Sequence, residues 1–221
     1  MEVNGALFSS TFTWLFGGMY ALALYMALRM APWRRLRESE QLHVFLGTVV
    51  CLILLWHVRA TVNPGLTFHL LGVTVVTLMF GWSLGIIATT LALVGVTVNA
   101  GSGWDAFVLN AVTTGVLPVT LTQVLLVLIR HFLPRHFFIY VLVNGFLTAG
   151  FVGIVSGYLV TWMLVWSSAY TYSELDLTLL PFFPLMFLPE AIINGWITVI
   201  MVTFRPHWVG SFSDEQYIKG K

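Results

Sequence analysis

The strongest constraint on this chain is a series of long apolar stretches whose positive charges fall almost entirely on one side. Hydrophobic residues make up 58% of the sequence and charged residues only 9%, whereas soluble domains carry about 25% charged residues. A segment that crosses a bilayer needs about 20 mostly apolar residues. Together these features predict an integral membrane protein that forms a single transmembrane domain over residues 1–221.

Seven stretches are apolar enough to be read as membrane spans, so the predicted fold class is all-α with about seven transmembrane helices. These stretches are residues 8–28, 42–60, 67–82, 84–100, 107–129, 137–165 and 179–204. The third and fourth are short, and only residues 81–83 separate them. They form either a tight helical hairpin or one long broken helix.

The distribution of Lys and Arg predicts an outside N-terminus and an inside C-terminus. In a seven-span arrangement of this kind, nine of the ten basic residues lie in inner segments, and only Arg59 lies outside. The nine are Arg29, Arg34, Arg35, Arg37, Arg130, Arg135, Arg205, Lys219 and Lys221. Cytoplasmic loops of membrane proteins carry this excess of positive charge. No basic segment precedes the first apolar stretch, so we expect no cleaved signal peptide.

Several function classes are disfavoured by the sequence. The formal net charge of +1 gives no basic surface for a nucleic-acid partner. There is no Gly-rich phosphate loop, no Gly-x-Ser-x-Gly motif and no pair of carboxylates on one span, so we expect neither an enzyme nor a nucleotide-binding chain. Cys51 is the only cysteine, which excludes a disulfide within the chain and a cage of thiolate ligands.

Two histidines near the predicted outer surface are candidates for metal ligands. His57 ends the second span and His69 begins the third, and the turn signal at residues 63–65 holds the two span ends together. Glu2 and Asp105 lie on the same side. Imidazole and carboxylate donors suit a divalent first-row metal. The alternative is that these histidines only reach interfacial water or a backbone carbonyl. Haem binding by paired histidines is a third reading, with no motif behind it.

Glu190 is an unusual carboxylate within the last predicted span. Polar groups at such depth face a bundle interior or a wet cavity, and we expect Pro184 and Pro189 to break the helix around it. Glu190 is therefore either a coupling group or a structural one that caps a helix or bonds freed carbonyls. Asn110 and Asn194 are further amides in the spans, and we expect them to bond across helices.

Three short segments resemble a known family of membrane proteins. Residues 68–74 read FHLLGVT, residues 189–195 read PEAIING, and residues 204–208 read FRPHW. These segments resemble the membrane substrate-capture component of cobalt and nickel energy-coupling-factor transporters, the CbiM/NikM-like permeases. The resemblance extends over nearly the whole chain in length and predicted topology. It implies a multi-pass protein of the bacterial cytoplasmic (inner) membrane.

The resemblance also implies where a metal would be held. In that family the ligands come from an N-terminal Met-His segment and from one histidine, which His69 matches here. The second position differs, because this chain has Glu2 in place of histidine. A square-planar nitrogen site is therefore not available unchanged, and His57 is our candidate substitute. Glu190 matches the family's Pro-Glu-Ala segment, for which we expect a structural or coupling role.

Two functional hypotheses follow. In the first, the chain captures a divalent metal ion as substrate and works with a transmembrane coupling protein and ATPase subunits, since it has no ATPase motif of its own. In the second, the chain is an accessory or assembly protein that keeps the fold but has lost the family's metal site. The missing histidine at position 2 favours the second hypothesis.

Overall fold

The computed structural model describes residues 2–100 and 104–219, so Met1, residues 101–103 and residues 220–221 lie outside the described part. Six helical segments within it are long and apolar enough to cross a membrane. They are Ser10–Met30, Ser39–His57, Val73–Asn99, Trp104–Phe132, Phe137–Trp166 and Tyr172–Phe204. The all-α membrane class is thus confirmed. The count of seven spans is not, because the predicted third and fourth spans belong to one helical segment, Val73–Asn99, whose two arms reverse direction at Gly81.

The helical elements have the following bounds. Nine α-helices are described: α1 (Ser10–Met30), α2 (Ser39–His57), α3 (Val73–Ala100), α4 (Phe107–Asn110), α5 (Leu117–Phe132), α6 (Phe137–Ile139), α7 (Thr148–Trp166), α8 (Tyr172–Thr178) and α9 (Phe183–Phe204). Two π-helical segments, Ala111–Val116 and Tyr140–Leu147, join α4 to α5 and α6 to α7. Such wide turns allow one continuous span to change the face that it presents along its length.

Helix α3 folds back on itself at Gly81. This residue has φ 79° and ψ −180°, a conformation that only glycine adopts without strain. A methyl group placed on Gly85 would lie 3.6 Å from Thr77 Oγ1, although eight residues of straight helix span about 12 Å. The contacts with α2 also run in opposite directions along the two arms. They are Gly72 with Leu55, Phe80 with Phe45, Gly95 with Ile53 and Asn99 with His57.

Replacing Gly81 with alanine should therefore destabilise the protein by about 1–3 kcal/mol, the cost of holding a residue with a side chain in this backbone region. The matched control is Gly18→Ala in α1, where a Cβ meets nothing within 4 Å. That change should be neutral or stabilising, since alanine favours a helix interior by about 1 kcal/mol over glycine. Equilibrium unfolding in mixed micelles measures both, and equal effects would contradict the reversal at Gly81.

A small antiparallel sheet closes one end of the helical bundle, which we call the sheet end. Its strands are β1 (Glu2–Val3), β2 (Arg59–Asn63) and β3 (Leu66–His69), in the order β1-β3-β2. Residues 59–69 were expected to be the ends of two spans and a short connection between them. They form a hairpin instead, because the turn at Pro64-Gly65 lets β2 and β3 pair, with a shift in register between Thr61 and Asn63.

Proline does not break the last helix, contrary to expectation. Helix α9 runs from Phe183 to Phe204 with Pro184 in its first turn and Pro189 in its interior. A first-turn proline costs no hydrogen bond, since the N–H that it lacks has no helical partner. Pro189 removes one backbone donor, and the helix continues past it with Glu190 buried on its inner face.

The C-terminal tail packs against the opposite end of the bundle, which we call the tail end. Gly210 and Ser211 donate their backbone N–H groups to the carbonyls of Met79 and Leu78, at 2.9 and 3.1 Å. Those carbonyls end the first arm of α3, where no further helical turn satisfies them. Arg35 also donates to Met79 O, at 3.0 Å, so the tail acts as a C-cap for a buried helix end.

Candidate metal centre

The centre of the sheet end is built on the pairing of β1 with β3. Glu2 lies opposite Thr67, and Val3 lies opposite Leu66. The strands are antiparallel, so the Glu2 end of β1 is the end nearer to His69, the last residue of β3. Val3 and Leu66 are buried, at 2% and 0% exposure. Strand β1 is therefore anchored between the helices rather than lying on the surface.

Asn110 holds β1 from the side opposite β3. Its Oδ1 accepts the N–H of Val3 at 2.9 Å, and its Nδ2 donates to the carbonyl of Val3 at 3.0 Å. The amide thus imitates a neighbouring strand and satisfies both buried backbone groups. Asn110 itself is buried and lies at the last residue of α4, where the π-helical segment begins. The expected contact across elements is made to a strand rather than to another helix.

Replacing Asn110 with alanine should release β1 from the bundle. Two buried backbone groups lose their partner, at about 1–3 kcal/mol for each group left unsatisfied. We expect the N–H of Val3 to exchange with solvent at least about tenfold faster, which corresponds to about 1.4 kcal/mol of lost protection. Asn99→Ala is the control, since Asn99 bonds the His57 ring at the same end of the bundle. The same exchange rate of the Val3 N–H in both variants would contradict this role of Asn110.

His69 is the buried histidine of the sheet end. It is 4% exposed, and its ring lies 5.4 Å from the ring of Trp56. Burial lowers the pKa of His69 well below its usual value, so the ring is neutral at physiological pH. Nδ1 lies 3.0 Å from the carbonyl of Leu70, which can only accept, so Nδ1 carries the proton. The lone pair is then on Nε2, the arrangement of a histidine ready to bind a metal.

Glu2 and Arg59 form an ion pair beside a polar cavity. Glu2 Oε2 lies 3.1 Å from the Arg59 guanidinium, with the two side chains 15% and 33% exposed. The adjacent cavity has a volume of about 250 Å³, and Asp105, Asn4 and Thr97 are among its lining residues together with both members of the ion pair. Carboxylate and amide oxygens therefore face a space large enough for a hydrated cation.

His57 is occupied elsewhere. Its Nδ1 lies 2.7 Å from the carbonyl of Ile53, and its Nε2 lies 2.6 Å from the amide nitrogen of Asn99. Nδ1 therefore donates and Nε2 accepts, which leaves neither ring nitrogen available for a metal. Across residues 2–100 and 104–219, no three His, Cys, Asp or Glu side chains are grouped for metal binding. The structure thus does not gather His69, His57 and Glu2 into one ligand set.

Glu190 and Asn194 hold the segment that follows His69. The Glu190 carboxylate accepts the N–H groups of Leu71 and Gly72 at 2.7 and 2.9 Å. Asn194 donates to Glu190 Oε1 at 2.7 Å and accepts the N–H of Val75 at 3.0 Å. These N–H groups surround the beginning of α3, where backbone donors have no helical acceptors and a negative charge is favoured. The expected structural role of Glu190 takes the form of a cap, and the helix that it caps is α3 rather than its own.

The comparison with protein families decides the identity of this architecture. A family model described as "CbiM: Cobalt uptake substrate-specific transmembrane region" matches residues 4–208. The chain belongs to the CbiM family. A comparison with curated proteins found no match. The resemblance inferred from residues 68–74 and 189–208 is thereby confirmed, and both segments lie inside the matched region.

Membership in the CbiM family makes this chain a transmembrane component of metal uptake. His69 and Glu190 both lie within the matched region. The match begins at residue 4, so it does not include Glu2. The sequence did not identify three parts of the site: Trp56, Arg59, and the pair of hydrogen bonds between Asn110 and Val3. The only signal was for Arg59, because it is the lone basic residue on its predicted side of the membrane.

Proposed function

We propose that this CbiM-family protein captures a divalent metal ion of the cobalt and nickel class and delivers it as the substrate-binding component of an energy-coupling-factor transporter. The observation that supports this most is the position of β1. Asn110 and β3 hold residues 2–3 at the same end of the bundle as the buried, neutral His69. A strand held along both edges in this way fixes the position of Glu2 relative to β3, which suits a ligand for a bound ion.

The proposed ligands are His69 Nε2 and the carboxylate of Glu2. Glu2 would leave Arg59 and turn towards the ion, while Arg59 remains at the edge of the cavity. A site of one imidazole and carboxylate oxygens is less selective for square-planar nickel than an all-nitrogen site, and it accommodates octahedral cobalt well. His57 would join this set only by giving up its contact with Asn99, so we assign it a supporting role.

The proposed orientation places the sheet end outside the cytoplasmic membrane and the tail end inside. Seven of the eight arginines belong to segments at the tail end, and only Arg59 is at the sheet end. This asymmetry follows the positive-inside rule. Counting the reversal at Gly81, the chain passes through the bilayer region seven times, although the first arm of α3 is only about 12 Å long. A coupling protein and ATPase subunits would then meet the tail end.

Uptake of radioactive cobalt by bacterial cells that lack their own cobalt importers tests this function. Cells that express the chain with a cobalt-type coupling protein and active ATPase should accumulate cobalt, and an ATPase variant unable to hydrolyse ATP should abolish the gain. The accessory-protein alternative, favoured by Glu2 at position 2, predicts no gain in any combination. An absence of uptake despite confirmed membrane insertion of all subunits would contradict our proposal.

A further inference from the structure

A second cavity lies on the lipid-facing side of the bundle, far from the polar cavity of the sheet end. It is a groove of about 770 Å³ between α2, the first arm of α3 and α9. Its lining is almost entirely apolar and includes Gly47, Cys51 and Leu55 from α2, Val76 from α3, and Ile193 and Ile197 from α9. A Cβ added to Gly47 would meet no atom within 4 Å, so this wall of the groove is open.

Apart from the Thr48 hydroxyl, which bonds the carbonyl of Val44, and the Cys51 thiol, the polar side chains that line the groove lie at one end. Glu40, His43 and Trp208 line it at the tail end. Glu40 Oε1 accepts the indole N–H of Trp208 at 2.7 Å, and the Arg205 guanidinium lies 5.6 Å from the Trp208 ring centroid. Indole and arginine side chains are typical neighbours of lipid headgroups. The groove thus has the polarity of a molecule with one charged end and a long apolar body.

The length of the groove matches that of a lipid acyl chain. Twelve residues of α2 separate His43 from Leu55, a distance of about 18 Å along the helix axis. One leaflet of the hydrocarbon core is about 15 Å thick, so an acyl chain fills this length.

We propose that this groove binds the acyl chains of one membrane phospholipid from the leaflet at the tail end. The phosphate of the lipid lies near Arg205 and the Trp208 indole, and the chains extend along α2 towards Gly72. Gly72 is one of the two residues whose N–H groups Glu190 holds. The bound lipid therefore contacts the back of the segment that carries His69. This inference does not depend on metal capture.

Native mass spectrometry of the protein released from mild detergent tests the proposal by counting retained phospholipids. We compare the wild type with Gly47→Trp, whose indole fills the groove. The matched control is Gly18→Trp on α1, another open glycine position that the groove does not include. The wild type and Gly18→Trp should each retain one phospholipid that Gly47→Trp lacks. The same lipid count in all three proteins, or no retained lipid in the wild type, would overturn the proposal.

The single cysteine gives a second measurement on the unaltered chain. Cys51 is exposed and lines the groove, so a bound lipid should shield its thiol from N-ethylmaleimide. Alkylation should be about tenfold slower in phospholipid nanodiscs than in delipidated micelles, a protection of about 1.4 kcal/mol. Gly47→Trp should react at one rate in both. Protection that arises only when a second membrane protein is present would show that the groove is a protein interface and would refute lipid binding.

Discussion

Replacing Glu190 with alanine should destabilise the protein by about 4 kcal/mol. The N–H groups of Leu71 and Gly72 lose their acceptor, and the Asn194 amide loses one of its partners. Each buried donor left unsatisfied costs about 1–3 kcal/mol, and no water in the hydrocarbon region takes the place of the carboxylate. The effect is large because one side chain satisfies two backbone donors at the beginning of a buried helix.

Unfolding of the purified protein in mixed micelles measures this loss. Glu190→Gln should fall between the wild type and Glu190→Ala, since the amide keeps one acceptor oxygen for the two N–H groups. The control is Glu174→Ala, which removes an exposed carboxylate from the capping box of α8. Loss of such a cap costs about 1 kcal/mol. If Glu190→Ala costs no more than Glu174→Ala, the hydrogen bonds that Glu190 accepts from Leu71 and Gly72 do not stabilise the fold.

Replacing His69 with alanine should lower the affinity for cobalt by at least about 100-fold, since removing even the partners that support a metal ligand costs 10–100-fold. Of the two histidines at the sheet end, His57 has a lone pair already bonded by Asn99, whereas no group in the described part of the chain donates to the lone pair of His69. Isothermal titration of the purified protein with Co²⁺ gives the dissociation constants directly. An unfolding experiment on the same sample separates lost binding from lost structure.

His57→Ala is the matched control for His69→Ala, because both remove an imidazole from the same end of the bundle. His57 uses both ring nitrogens for Ile53 and Asn99, so its removal should change cobalt affinity by less than about tenfold. Equal losses in the two variants would show that the metal recruits His57 as a ligand after it releases Asn99. That result would restore the three-ligand site predicted from the sequence.

The helices were predictable because the bilayer demands long apolar segments, and the observed helix ends lie close to the predicted ones. The hairpin of residues 59–69 was not, because its strands are short and their pairing depends on contacts distant in sequence. The reversal at Gly81 was left open between two forms. The choice between a hairpin and a broken helix depends on the backbone angles of Gly81, which the hydrophobicity of the segment does not reveal. The packing of the tail was not predictable because it depends on the backbone N–H groups of Gly210 and Ser211, whose carbonyl partners in α3 are distant in sequence.

The residues proposed for the site could be named from the sequence, but their contacts could not. His69 and Glu190 stand out as ionisable groups in apolar surroundings, and the family resemblance points to both. The roles of Asn110 and Asn194 depend on which backbone groups lie within reach of their amides, which only the tertiary structure specifies. His57 and His69 were placed at the same end correctly. The two rings have different hydrogen-bond partners. Which partners they meet depends on ring orientation, and for His57 in α2 the orientation changes by about 100° with each residue of helix.

The central claim is that the sheet end holds one divalent metal ion through His69. Elemental analysis of detergent-purified protein, loaded separately with cobalt, nickel, zinc and copper and then desalted, tests it most directly. We predict one bound ion per chain in the wild type and none in His69→Ala, with cobalt or nickel retained best. A wild-type protein that retains none of the four metals would contradict metal capture, and the accessory-protein alternative would then be the better account.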